Sequence, residues 1–101
     1  MRKIILLCSA GMSTSILVNK MKDAAAAQNY EVEISAHSVS EASRVAADAD
    51  IVLLGPQVRF NLGTVQKQLP NKPIEVIDMR AYGTMNGEAV IAEVKKVLGD
   101  E

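Results

Sequence analysis

Residues 4–7, Ile4-Ile5-Leu6-Leu7, form an unbroken apolar run between Arg2-Lys3 and Cys8-Ser9. A continuous branched-chain run bounded by polar and turn residues predicts a strand buried on both faces, as in a parallel sheet. From residue 16 to residue 28 the apolar period lengthens. Leu17, Met21, Ala24 and Gln28 fall in one stripe beside Val18 and Ala25, and Asn19, Lys20, Lys22 and Asp23 fall opposite. That spacing predicts an amphipathic helix, which Asn29 is suited to end. Over residues 30–36, Val32, Ile34 and Ala36 alternate with Glu31, Glu33 and Ser35, the pattern of a half-solvated edge strand.

Further along, Ser38-Val39-Ser40-Glu41 has the spacing of a capping box, and Ala42, Val45, Ala46 and Ala49 recur behind it at helical intervals. Ile51-Val52-Leu53-Leu54 predicts another buried strand, stopped by Gly55-Pro56. Residues 57–69 read as helical in their later part, with Gly63 weakening the pattern. Pro70-Asn71-Lys72-Pro73 is a turn and residues 74–77 a fourth strand. A loop over 78–87 then leads to a terminal helix with Val90, Ile91, Val94, Val97 and Leu98 on one side.

Strand and helix thus alternate four times, without repeats, low-complexity tracts or a linker. Right-handed crossovers turn that order into an α/β fold, a four-stranded parallel open sheet with helices on both faces. Ligands in such sheets sit beyond the carboxyl ends of the strands, where the strand order reverses. Cys8 stands at the end of the first strand, so the strand-to-helix turn from Cys8 to Ser15 is the expected site.

Composition narrows the chemistry. With 101 residues the chain is expected to form a single domain over 1–101, large enough for a core without disulfides or metal. Its one cysteine excludes an internal disulfide and fits a reducing cytoplasm. The opening Met-Arg-Lys and apolar run is only a strand's length before Ser9 interrupts it, unlike a signal peptide. No apolar stretch approaches the roughly 20 residues of a membrane helix. Eleven basic against twelve acidic residues, with one Phe and two Tyr, leave no footprint for nucleic acid. No G-x-G-x-x-G follows the first strand and no G-x-x-x-x-G-K-[ST] occurs, so nucleotide cofactors are not expected. One Cys and one His far apart make no metal set.

The residues of the turn point to phosphate. The first amides of a helix lack intrahelical partners and face an anion with the positive end of the helix dipole. Gly11 permits close approach of the backbone, and Ser9, Ser13, Thr14 and Ser15 add hydroxyls to the amides of Ala10 and Met12. The same field favours negative charge on the Cys8 sulfur. A thiolate within a phosphate cradle predicts covalent phosphorylation of Cys8. The plainer readings are a buried cysteine closing a strand and a hydroxyl-capped helix start.

The arrangement resembles low-molecular-weight tyrosine phosphatases, whose nucleophilic cysteine opens a C-x-x-x-x-x-R-[ST] loop after the first strand. Here Thr14 takes the arginine's place. Without a bidentate cation on the phosphoryl oxygens, such a loop holds a phosphoryl group on sulfur without strongly driving attack by water. Together with Val52-Leu53-Leu54-Gly55-Pro56-Gln57 and Pro70-Asn71-Lys72-Pro73-Ile74-Glu75-Val76-Ile77-Asp78, the string C-S-A-G-M-S-T-S resembles the IIB components of the bacterial sugar phosphotransferase system, lactose, cellobiose and chitobiose class. The likeness covers essentially the whole chain. It implies a cytoplasmic phosphocarrier, a phosphotransferase held at the membrane through its partner IIC. Cys8 would accept a phosphoryl group from the phosphohistidine of IIA and pass it to a β-linked disaccharide bound by the IIC permease. A free-standing domain is more like the cellobiose and chitobiose members than the lactose ones. The rival readings are a phosphatase-like thiol hydrolase and a non-catalytic anion-sensing module.

Outside the turn, His37 is a candidate second acceptor or acid/base group, or else a polar surface residue. Asp78 is a candidate general acid, or else a helix cap, since Met79 stands where the phosphatase motif has proline. Gly55-Pro56-Gln57 and Tyr82-Gly83 either wall the site or serve only as turns. Met12, Val58, Phe60, Met79, Tyr82 and Met85 lie on the same loops, and a patch of Met12, Val58, Phe60, Tyr82 and Met85 is expected to dock IIA and IIC in turn.

Overall fold

The computed structural model describes residues 1–8 and 14–100 of the chain. Four parallel strands, β1 (Arg2–Cys8), β2 (Val32–Ser38), β3 (Ile51–Leu54) and β4 (Ile74–Val76), form one sheet in the order β2-β1-β3-β4. The expected four-stranded parallel α/β fold is therefore observed. The crossovers carry α1 (Thr14–Ala27), α2 (Ala42–Val45) and α3 (Leu62–Gln68), and α4 (Met79–Gly83) and α5 (Gly87–Leu98) follow the last strand. Leaving β1, the chain first moves outward to β2, then returns across β1 to β3. The strand order therefore reverses between β1 and β3, the two central strands.

Strand alternation feeds two cores. Ile4 and Leu6 of β1 join Leu17, Met21 and Ala25 of α1, Ala81 and Tyr82 of α4, and Val90, Ile91 and Val94 of α5 on one face. Ile5 and Leu7 join Ala42, Ala46, Val65 and Leu69 on the other. Because β1 is buried on both faces, each of its four branched residues is worth about 1.5–3 kcal/mol of burial. Alanine on and just after α2 matters for shape: Ala42 in the helix and Ala46 and Ala49 beyond it are almost wholly buried, so small side chains set how closely that layer lies.

Three helix ends reverse through a left-handed residue. Asn29 after α1 (φ 55°), Met85 after α4 (φ 54°) and Gly99 after α5 (φ 72°) each stand where the next amide bonds back to a carbonyl five residues earlier. Gly87 opens α5 for a different reason. A β-carbon there would lie 2.3 Å from the Lys20 carbonyl carbon, so α5 crosses α1 with backbone against backbone.

Some boundaries differ from the sequence expectation. β2 runs on to Ser38, because its backbone keeps pairing with β1 through Leu7↔His37 and Cys8↔Ser38 although the side chains have turned polar. The capping box forms only in part. Ser38 Oγ accepts from Ser40 N at 3.4 Å, while Glu41 pairs with Arg44 instead of reaching back. A 3-10 turn at Val39–Glu41 leads into α2, which ends at Val45, short of Ala46 and Ala49. Gln28 is exposed rather than on the buried stripe, and its Oε1 accepts from Lys95. Finally, the expected loop over 78–87 contains α4, capped by Asp78.

Candidate functional site

The candidate site lies at the carboxyl end of β1. Cys8 is the last residue of β1, buried to 2 % exposure, and α1 begins six residues later at Thr14 with fourteen residues of helix behind it. Of the predicted anion-binding residues, Ser9, Ala10, Gly11, Met12 and Ser13 lie outside the described residues, as does the side chain of Thr14. Ser15 is exposed in the first turn of α1.

Neighbouring strands bring other candidates to the same edge. Beyond the last paired residues, Leu7↔Leu54, the amide of Gly55 still donates to Leu7 O at 2.9 Å, so Gly55 stands level with Cys8. A β-carbon on Gly55 would meet Cys8 Cβ at 3.6 Å and Gln57 Oε1 at 3.1 Å. Gly55 has φ −62°, which any residue adopts. Its lack of a side chain therefore leaves open the space beside Cys8 and is not demanded by the turn.

Strand parity decides against His37 acting on Cys8. Paired residues of parallel strands point to the same face, and His37 pairs with Leu7, whose face is the α2 side. Cys8 shares parity with Ile4 and Leu6, on the α1 side. The ring is engaged there by Ser35, Nε2 to Oγ at 3.0 Å. Asp78 is committed as well, because its carboxylate accepts from Ala81 N at 3.0 Å as the N-cap of α4.

The apolar surface at this edge differs from the expected patch. Val58 (2 % exposed) and Tyr82 (7 %) are buried, and Met85 packs against the α1–α5 core. Their loops fold inward because a 3-10 segment (Pro56–Asn61) turns Val58 under and the short α4 turns Ala81 and Tyr82 under. Met12 lies outside the described residues. What remains outside is Phe60, 79 % exposed, and Met79, 61 % exposed, flanking a cleft of about 500 Å³ that Pro56, Gln57, Arg59 and Tyr82 also line. Ile16 and Leu62 are exposed too. The sequence signal for Ile16 is its place off the buried stripe of α1.

Charge is organised at the opposite end of the sheet. Arg2 holds Asp100 in a two-pronged pair, Nε to Oδ2 and Nη2 to Oδ1 both at 2.8 Å, and Tyr30 OH donates to Asp100 Oδ2 at 2.5 Å. Those two donors, Arg2 first, hold the Asp100 carboxyl down at about 2. Partial burial, then the bond to Asp100, pushes the Tyr30 phenol up to about 12. Lys95 Nζ stands 5.3 Å over the Tyr30 ring, and Lys3 pairs with Asp48 at 2.8 Å.

Among the described residues, no helix is long and apolar enough to cross a membrane, and no three His, Cys, Asp or Glu side chains are grouped to hold a metal ion.

Comparison with known proteins agrees with this geometry. Residues 3–93 match the family model for the lactose/cellobiose-specific IIB subunit of the PTS. The chain is 47 % identical over 100 residues to the PTS system oligo-beta-mannoside-specific EIIB component of Bacillus subtilis (strain 168), with 97 % of each chain covered. It is 41 % identical over 102 residues to the cellobiose-specific EIIB component of Lactococcus lactis subsp. lactis (strain IL1403), with 94 % of each covered. The solution structure of the cellobiose-specific phosphotransferase IIB component from Borrelia burgdorferi superposes with a TM-score of 0.81 at 38 % identity, covering 98 % of this chain and 93 % of that one. The lactose-specific IIB domain from Streptococcus pneumoniae, 16 % identical, shares the fold with a TM-score of 0.78 over 91 % of this chain and 95 % of its own.

Proposed function

Since the chain belongs to the lactose/cellobiose-specific IIB subunits of the PTS, we propose that Cys8 is the residue on which it carries the phosphoryl group. Subunits of this family are phosphotransferases that accept a phosphoryl group and hand it on toward the sugar, working with IIA and membrane IIC components. In this chain the group arrives from the phosphohistidine of a IIA protein. A nitrogen–phosphorus bond breaks as a sulfur–phosphorus bond forms. A hydroxyl of the sugar on IIC then attacks phosphorus, the sulfur leaves as thiolate, and the hydroxyl proton passes to water. The transfer stays in the cytoplasm, with the carrier at the membrane only through IIC.

The observation that carries the reading is the position of Cys8 at the end of a central strand, beside the strand-order reversal and ahead of a fourteen-residue helix. Ser9, Ala10, Gly11, Met12, Ser13, Thr14 and Ser15 hold the phosphoryl oxygens in this proposal, and the absence of arginine at position 14 favours a carrier over a hydrolase. The sugar is a β-linked disaccharide of the cellobiose or chitobiose kind, in line with the cellobiose-specific and oligo-beta-mannoside-specific relatives. Phe60, Met79 and Ile16 meet IIA and IIC in turn, through an interface near the small end of about 1,200 Å².

Incubation with phosphorylated IIA, followed by intact mass and peptide mapping, tests the assignment. The expected result is one phosphoryl group on the peptide that contains Cys8 and none on Cys8→Ser. Phosphate on His37 in place of Cys8 would overturn it.

A further inference from the structure

We infer that Gln57 is a catalytic residue whose carboxamide N–H donates to a phosphoryl oxygen on Cys8, supplying part of what the arginine of a phosphatase loop supplies. The inference rests on Cys8 being the acceptor. It begins with Gly55, which is level with Cys8 on the neighbouring strand and shares its face: Leu53, two residues before Gly55, packs with Ile4 and Leu6 on the α1 side. A side chain at position 55 would stand directly beside that of Cys8, 3.6 Å from its β-carbon. Glycine leaves that space open, and the Gln57 side chain folds back toward it, with Oε1 3.1 Å from where the missing β-carbon would be.

Gln57 is otherwise unoccupied. It is exposed, and among the described residues its carboxamide has no hydrogen-bond partner. Pro56 at the start of the 3-10 segment fixes the backbone that aims it. A carboxamide carries two N–H donors beside its oxygen, and rotation about its last bond turns either side to a ligand. Neutral donors suit a carrier. They favour the phosphorylated state by a hydrogen bond to a charged group, yet add no positive charge to help water attack phosphorus. During transfer from the partner's histidine to Cys8 the carboxamide neither gains nor loses a proton.

The test compares wild-type, Gln57→Ala, Gln57→Glu and Gly55→Ala proteins. Gly55→Ala is the indirect variant, since its new methyl group pushes the Gln57 amide aside while φ −62° accommodates alanine. Phosphorylation by phosphorylated IIA is expected to slow about tenfold to a hundredfold in Gln57→Ala, and further in Gln57→Glu, where a carboxylate of the same shape repels the phosphoryl group. A docking role would also slow that reaction, so the second readout uses the isolated phosphoprotein. Titrated by phosphorus NMR, the second ionisation of the phosphocysteine is expected to move up by about one pH unit in Gln57→Ala, because a donor to the dianion has been removed. Melting should stay at the wild-type temperature in both Gln57 variants. Unchanged transfer rates would overturn the inference, and so would slowed transfer with an unchanged phosphorus titration. If the wild-type protein took no phosphoryl group on Cys8, the acceptor assignment itself would fall.

Discussion

The two ends of the sheet are built on opposite terms. At the amino end of the strands, charged and polar side chains close on one another: Arg2, Tyr30 and Asp100 tie the start of β1 to the ends of α1 and α5, and Lys3 pairs with Asp48. At the carboxyl end, Phe60 and Met79 stand in solvent, and Arg59 and Arg80 make no ion pair among the described residues. Arg2 satisfies a carboxylate with two parallel bonds, which favours one geometry and leaves little for a partner to recognise. Exposed apolar side chains and uncommitted donors cost the isolated molecule something and repay it only when another surface arrives. The closed end ties the chain's termini together, and the open end is the one we propose for phosphoryl transfer.

The largest effect is expected where both ends depend on one joint. Gly87→Ala places a methyl group against the Lys20–Met21 backbone, which cannot step aside as a side chain can. A loss of about 3 kcal/mol is expected in denaturant unfolding, with transfer falling alongside stability. A second substitution separates the ends. Met79→Asp or Phe60→Asp should slow both phosphorylation by IIA and delivery to sugar by about tenfold while melting stays unchanged. Loss of one transfer alone would replace the shared surface with two separate ones.

How much of this contrast can be read from sequence depends on the length of the pattern. Residues 4–7 and 51–54 announce buried parallel strands because four branched residues in a row suit no half-solvated element, and α1 and α5 are long enough for their stripes to repeat. α4 is not visible in this way. Five residues give less than two turns, and its one sign is Asp78, legible as a candidate helix cap or turn residue but with no repeating stripe behind it to mark a helix. The docking patch fails on similar grounds, since nothing local distinguishes buried Val58 and Tyr82 from exposed Phe60 and Met79. At Gly55 the reason for glycine is a neighbour 47 positions earlier in the chain, Cys8, and only strand order brings the two together. The clasp is hidden likewise, because Arg2 and Asp100 are 98 residues apart.

The clasp makes a pH prediction of moderate size. With the Asp100 carboxyl held at about 2, below its unfolded value, the unfolded chain binds more protons between about pH 4 and 2, and stability falls as pH falls through that window. The Tyr30 phenol, raised to about 12, works in the other sense: the folded chain holds its proton longer, and stability falls as pH rises from about 10 to 12. Thermal melts across pH should show a plateau between the two windows. Asp100→Asn should flatten the acid limb and leave phosphoryl transfer at neutral pH unaltered.

The smallest expected effect lies at Asn29, whose left-handed turn delivers Tyr30 to the clasp. Asn29→Ala should cost about 1 kcal/mol in unfolding, and Asn29→Gly only a few tenths in either direction. Neither should alter transfer to Cys8.

Amide NMR spectra of the folded protein before and after phosphorylation by IIA test the division of labour most directly. Cys8, Thr14, Ser15, Gly55 and Gln57 are expected to shift strongly, while Arg2, Tyr30 and Asp100 stay in place. Shifts as large at the clasp as around Cys8 would contradict the account, because the two ends would then move as one.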